Sequence, residues 1–175
     1  MEYLAYGSNM LSARLRTRVR SAANPRVVAL PGRTVLYRKL SRMDGSSKCD
    51  LALAPDPRAV AYGVVFDIDP ADQGALDAAE GRGSGYHRVT LEVAYEGQVL
   101  RPFAYVADES ALRPGLPPYD WYRDLVVAGA REHGLPTCYV ASLADVPVTI
   151  DPEPERAAKE RSILPPQWRD SRRVE

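Results

Sequence analysis

Apolar and polar positions recur in short blocks along most of this chain, and each block predicts one element. Glu2 to Tyr6 is an apolar run too short for a helix; it reads as a buried strand that stops at Gly7-Ser8-Asn9. Leu11, Leu15 and Val19 then recur every four residues, which predicts a helix over 11–20 with one buried stripe. Strands are predicted over 27–30 and 33–39, separated by the turn Pro31-Gly32, and over 49–54, where Leu51 and Leu53 share a face. The β-branched run at 60–68 predicts another strand. Pro70 opens a helix over ADQGALDAAE that turns Ala71, Ala75 and Leu76 inward and ends at Gly81. Residues 86–95 alternate apolar and polar positions, and the turn Glu96-Gly97 leads back through 99–106, predicting a hairpin. A last amphipathic helix is predicted over 119–133, stopped by Gly134-Leu135-Pro136. Many strands with few helices imply an α+β domain built on a curled sheet or barrel.

The tail breaks this pattern. From Asp151 it is charged and proline-broken, with only Ile163, Leu164, Trp168 and Val174 as apolar anchors, so it is expected to wrap the surface or fray. At 175 residues the chain has the length of one domain, and its 45% hydrophobic and 26% charged residues are ordinary globular usage. No apolar run reaches the ~20 residues of a membrane span, and the N-terminus lacks the basic and apolar regions of a signal peptide. Cys49 and Cys138 form no C-x-x-C pair and no disulfide framework, so a reducing, cytoplasmic setting is expected.

Lys plus Arg and Asp plus Glu each number 23, which removes the long-range field of a dedicated nucleic-acid binder. The distribution is uneven all the same. Residues 1–48 hold ten Lys or Arg against Glu2 and Asp44 alone. Four of them, Arg14, Arg16, Arg18 and Arg20, fall in the first helix. They read either as a patch for an anionic partner or, favoured here because no aromatic residues interleave with them, as a solvated helix face.

Two stretches can carry chemistry. At Tyr6-Gly7-Ser8-Asn9 a strand gives way to a helix; Ser8 or Asn9 can cap that helix, and its free N–H groups suit a carboxylate or phosphate. Gly7 permits a sharp turn and close approach of a ligand. At LDAAEGRGSGY, Glu80 ends a helix beside a glycine-rich loop. There it faces the negative end of the helix dipole, a placement that raises a carboxyl pKa where the group is also partly buried and so suits a general acid/base. Asp77 is an equally available acid. No G-x-S-x-G elbow, metal-ligand cluster or phosphate-binding loop is present. A Cys–His dyad with His87 or His133 requires tertiary contact, and Tyr105, Tyr119, Trp121 and Tyr122 are either pocket lining or core.

These stretches occur in a familiar order. YLAYGSNM at 3–10, YRKLSRMDGSSKCDL at 37–51, YGVVFDID at 62–69, LDAAEGRGSGYHRV at 76–89 and EHGLP at 132–136 resemble the γ-glutamylcyclotransferase-like family, also called AIG2-like. The resemblance implies a small mixed β-barrel with flanking helices. It makes 1–150 the catalytic domain and leaves 151–175 as a charged tail, wrapping or partly disordered. It implies an amide-cleaving cyclase that closes a γ-glutamyl group on its own α-amino nitrogen and releases 5-oxoproline, with Glu80 as general acid/base. Tyr6, Gly7, Ser8 and Asn9 would hold the glutamyl head, with Tyr122 and Tyr105 facing the same pocket. Tyr86 falls one residue earlier than in some members. No metal, cofactor or covalent intermediate is required. The partner would be a small γ-glutamyl compound, with no nucleic acid and no membrane, and a homodimer is left open. Glutathione, γ-glutamyl amino acids and γ-glutamylated specialised metabolites share the head group; a non-catalytic binding module on the same fold is the contrasting reading.

Overall fold

The computed structural model describes residues 1–83 and 85–169. Its strands are β1 (Glu2–Ala5), β2 (Ala23–Pro31), β3 (Arg33–Leu40), β4 (Ser47–Leu53), β5 (Val60–Asp67), β6 (Tyr86–Thr90), β7 (Val93–Tyr95), β8 (Gln98–Leu100) and β9 (Phe103–Ala107). Its α-helices are α1 (Ser12–Arg18), α2 (Gln73–Glu80), α3 (Asp120–Glu132), α4 (Thr137–Ala144) and α5 (Pro154–Arg161).

The α+β class holds, and β1 sits mid-sheet. The five-stranded sheet runs β2-β5-β1-β9-β6, with β1 antiparallel to β5 and parallel to β9. Both central strands are covered on both faces, so they read as unbroken apolar runs: Tyr3, Leu4 and Ala5 are buried in β1, and Val64, Val65 and Phe66 in β5. The β3–β4 hairpin packs across β5 and β9 without joining their ladder. The barrel implied by the resemblance is thus an open sheet closed over by a hairpin, not a continuous ring of paired strands.

The 86–106 hairpin turns where the sequence predicts it, with Glu96 at φ 48° and Gly97 at φ 78°, both left-handed as a tight two-residue turn requires. It splits, however, into two ladders, β6–β9 and β7–β8. Pro102 lies at the break; it has no N–H to donate, though its carbonyl still accepts from Leu91 N at 3.0 Å.

The Leu11, Leu15 and Val19 stripe is buried, and α1 docks through it. In α2 only Leu76 is buried; Ala71 and Ala75 face solvent, contrary to expectation, because a single large apolar side chain anchors this short helix. Helix α3 ends at Gly134 with φ 66°, as predicted. Where the sequence suggests a wrapping or frayed tail, residues Pro154–Arg161 form α5, which packs on α3 through buried Ala157 and an Arg161–Asp120 ion pair. Leu164 is buried, and Ile163 and Trp168 are partly buried against the core; Val174 lies outside the described residues.

Candidate active site

The turn after β1 is held by close contact rather than by caps. Gly7 to Met10 forms a single 3-10 turn closed by Met10 N to Gly7 O at 2.9 Å. A Cβ on Gly7 would come within 3.1 Å of Cys49 Cβ and 3.3 Å of the Tyr122 hydroxyl, so glycine lets the turn seat against β4 and α3. A Cβ on Gly129 of α3 would sit 2.3 Å from Leu11 N, so this helix packs bare against the turn. The expected side-chain caps do not form. Ser8 Oγ accepts from Arg14 Nε at 3.1 Å, and Asn9 Nδ2 donates to Glu80 Oε1 at 2.6 Å and to the Tyr3 hydroxyl at 3.0 Å. The main-chain N–H groups of Ser8 and Asn9 find no acceptor among the described residues.

The opposite wall is Glu80, the last residue of α2, followed by Gly81 with φ 64°. This glycine stop turns the chain sharply and leaves the carboxylate at the helix end, beside the turn. Arg18, the last residue of α1, pairs with Glu80 Oε1 at 2.7 Å. Asp77, the competing acid, is committed elsewhere. Burial opposes its charge, but the Tyr105 hydroxyl at 2.6 Å and Arg82 hold its carboxyl below the usual range.

Between the walls lies a pocket of about 310 Å³, including its open mouth. Tyr6, Gly7, Ser8, Asn9, Glu80, Tyr105 and Tyr122 all line it, so the structure brings every sequence-predicted site residue to one cavity. Tyr3, Cys49 and Tyr86 complete its lining. Tyr119 and Trp121 do not line it: the first donates to Asp44 O and the second to Asp151 Oδ2, both as core anchors. Tyr6 donates to Tyr105 O, Tyr86 donates to Cys49 O at 2.5 Å, and Tyr122 accepts from Cys49 N at 3.1 Å. Burial pushes Tyr6, Tyr86 and Tyr122 well above the ordinary tyrosine value, so they line the pocket as neutral hydroxyls, not as bases.

The Cys–His alternative fails on geometry. Burial pushes the Cys49 thiol up to about 12, which leaves it protonated at neutral pH. His87 pairs with Asp108 at 2.6 Å, and His133 lies 2.9 Å from Met10 O and 3.2 Å from Ser12 Oγ; neither reaches a cysteine. Among the described residues no group of three or more His, Cys, Asp or Glu is placed to hold a metal ion, and no helix is long and apolar enough to cross a membrane.

The arginine-rich helix is not a solvated face throughout. Arg16 and Arg20 are exposed, whereas Arg14 is buried behind the turn, between Ser8 and Glu160 of α5, and Arg18 reaches Glu80. Helical spacing alone does not make this division: at 3.6 residues per turn, positions 14 and 16 lie equally far from the centre of the Leu11–Leu15–Val19 stripe, on opposite sides of it.

The sequence profile of the AIG2-like family matches residues 60–143. The γ-glutamylcyclotransferase of Homo sapiens is 31% identical over 153 residues, covering 81% of this chain and 76% of the relative. That of Bos taurus is 26% identical over 151 residues, covering 82% and 77%. A solved γ-glutamyl cyclotransferase structure superposes with a TM-score of 0.77 at 25% identity, covering 91% of this chain and 98% of that one. On shared sequence over most of both chains, the protein belongs to the γ-glutamylcyclotransferase-like (AIG2-like) family of enzymes.

Proposed function

We propose that this protein cyclises a γ-glutamyl group and releases 5-oxoproline together with the amine or amino acid it carried, with Glu80 as the general acid/base. One observation carries the reading: the Glu80 carboxylate is held, through Asn9, at a turn that lines the same pocket and whose Ser8 and Asn9 N–H groups have no acceptor among the described residues. Those N–H groups suit the glutamyl α-carboxylate. Attack is intramolecular, so the enzyme gains by holding the head folded, with the α-nitrogen against the γ-carbonyl carbon. The α-ammonium carries three protons and the lactam nitrogen keeps one; the other two end on the departing amine. Glu80 accepts a proton from the ammonium, the freed amine forms the new C–N bond, and the proton returned by Glu80 lets the old C–N bond break. The second proton follows the same route. Tyr6, Tyr105 and Tyr122 shape the wall around the head. With both cysteines unpaired, the chain suits a reducing compartment such as the cytoplasm.

The test is incubation with glutathione, several γ-glutamyl amino acids and γ-glutamylamines, with 5-oxoproline read by mass spectrometry. Release from at least one of them is expected. No 5-oxoproline from any member would contradict the reading.

A further inference from the structure

Glu80 occupies an unfavourable place for a charge, at the carboxyl end of α2, where the helix presents its unpaired carbonyls. The structure answers with a closed triangle of side chains. Arg18 Nη1 donates to Glu80 Oε1 at 2.7 Å and to Asn9 Oδ1 at 2.9 Å, while Asn9 Nδ2 donates to that same Oε1 at 2.6 Å. Both donors land on one carboxylate oxygen; no described residue donates to Oε2. The pair is partly shielded, with 23% of the Arg18 side chain and 17% of the Glu80 side chain exposed, so it is not an ordinary surface ion pair. Arg18 is itself well fixed, since the next residue, Val19, is fully buried.

We propose that Arg18 is a positioning residue of the reaction. Its guanidinium, acting with Asn9, anchors Oε1 and turns Oε2 toward the substrate nitrogen that gives up and then regains a proton. The assignment rests on the reading of Glu80 as the acid/base. It gives a role to a residue outside the pocket lining, reached through Glu80 and Asn9. Met at position 18 keeps length and apolar contact but frees the carboxylate to rotate. Misplacement of a catalytic group by about 1 Å costs on the order of 100-fold in rate.

The experiment compares wild type, Arg18→Met, Arg18→Lys and Glu80→Gln on L-γ-glutamyl-L-alanine and the substrate best used in the panel above. Circular dichroism and Tm are recorded for each protein. Arg18→Met is expected to lose kcat by roughly 10–100-fold with KM within about threefold of wild type. Arg18→Lys should recover a large part of the loss. Guanidinium chloride at tens of millimolar, far below denaturing levels, should restore part of the Arg18→Met rate and leave wild type unchanged. Should the Met variant not fold, Arg18→Gln replaces it. An active wild type with a dead Glu80→Gln and an Arg18 variant of wild-type kcat overturns this assignment alone. So does a loss that tracks a fall in Tm and is rescued by neither lysine nor guanidinium. A wild type that forms no 5-oxoproline overturns the acid/base reading and this assignment with it.

Discussion

The two walls of the pocket are built in opposite ways. The turn wall, Tyr6 to Asn9, is largely buried and wedged: β1 lies in mid-sheet, Gly7 seats tightly against Cys49 and Tyr122, Gly129 admits a contact that any Cβ would block, and Arg14 backs Ser8. The Glu80 wall stands at the end of a helix with one buried residue and is fixed by two hydrogen-bond donors to a single oxygen. A wall that presents main-chain donors to a carboxylate must not shift, because its selectivity is geometric. A carboxylate that takes and returns a proton needs one oxygen held and the other open. On the proposed function, binding falls to one wall and chemistry to the other, and the walls can be broken separately.

The largest expected effect is on the chemical wall. Glu80→Gln should reduce kcat by 10²–10⁴-fold, the usual range for losing a general acid/base, while substrate still binds. Turnover near the wild-type rate would show that proton transfer runs elsewhere. On the turn wall, Gly129→Ala drives a methyl into the Leu11 backbone and should destabilise the fold by about 3 kcal/mol, lowering Tm by roughly 6–12 °C. An unchanged melting curve would mean that α3 and the turn part easily. Ser8→Pro removes one N–H from the turn, together with the hydroxyl that accepts from Arg14 Nε, and should weaken substrate binding by about tenfold or more with some loss of Tm, measured by calorimetry on the Glu80→Gln background below the melting range of both proteins. Affinity left intact would argue against main-chain recognition.

The smallest effect lies outside both walls. Arg156, bonded to Asp151 from α5, holds that carboxyl at about 2 despite its burial, helped by Glu153 N and Trp121 Nε1. The folded-state value lies below the ordinary one near 4, so the stabilisation is full above about pH 4 and is lost as pH falls toward 2. Asp151→Asn should therefore cost a few °C of Tm at pH 7, a gap that narrows below about pH 4, with kcat and KM unchanged. A Tm difference constant with pH would contradict this account of the ion pair.

The turn wall and Glu80 could both be found in the sequence, because each is marked locally. A strand that stops at a glycine and a helix that stops at a glycine are short-range events, and both survive into the structure at Gly7 and Gly81. The arginines could not be resolved that way. What buries Arg14 and turns Arg18 inward are acids 146 and 62 residues away in the chain, Glu160 and Glu80. Helix α5 escaped for a related reason: it buries a single alanine and is fastened by Arg161–Asp120 and Arg14–Glu160, which leave no apolar period to detect. The exposed alanines of α2 show the converse, since apolar residues at helical spacing need a neighbour before they are core. Tyr3, Cys49 and Tyr86 reach the pocket only because β1, β4 and β6 converge there, a fact of topology rather than of local sequence.

The account's central claim is that one bound γ-glutamyl head spans both walls. The most direct measurement is a crystal structure of Glu80→Gln soaked with the γ-glutamyl compound that wild type turns over. The expected density places the α-carboxylate on the N–H groups of Ser8 and Asn9 and the α-nitrogen within about 3.2 Å of the residue-80 side chain. A head group seated with its α-nitrogen turned away from residue 80, or outside this pocket altogether, would contradict it.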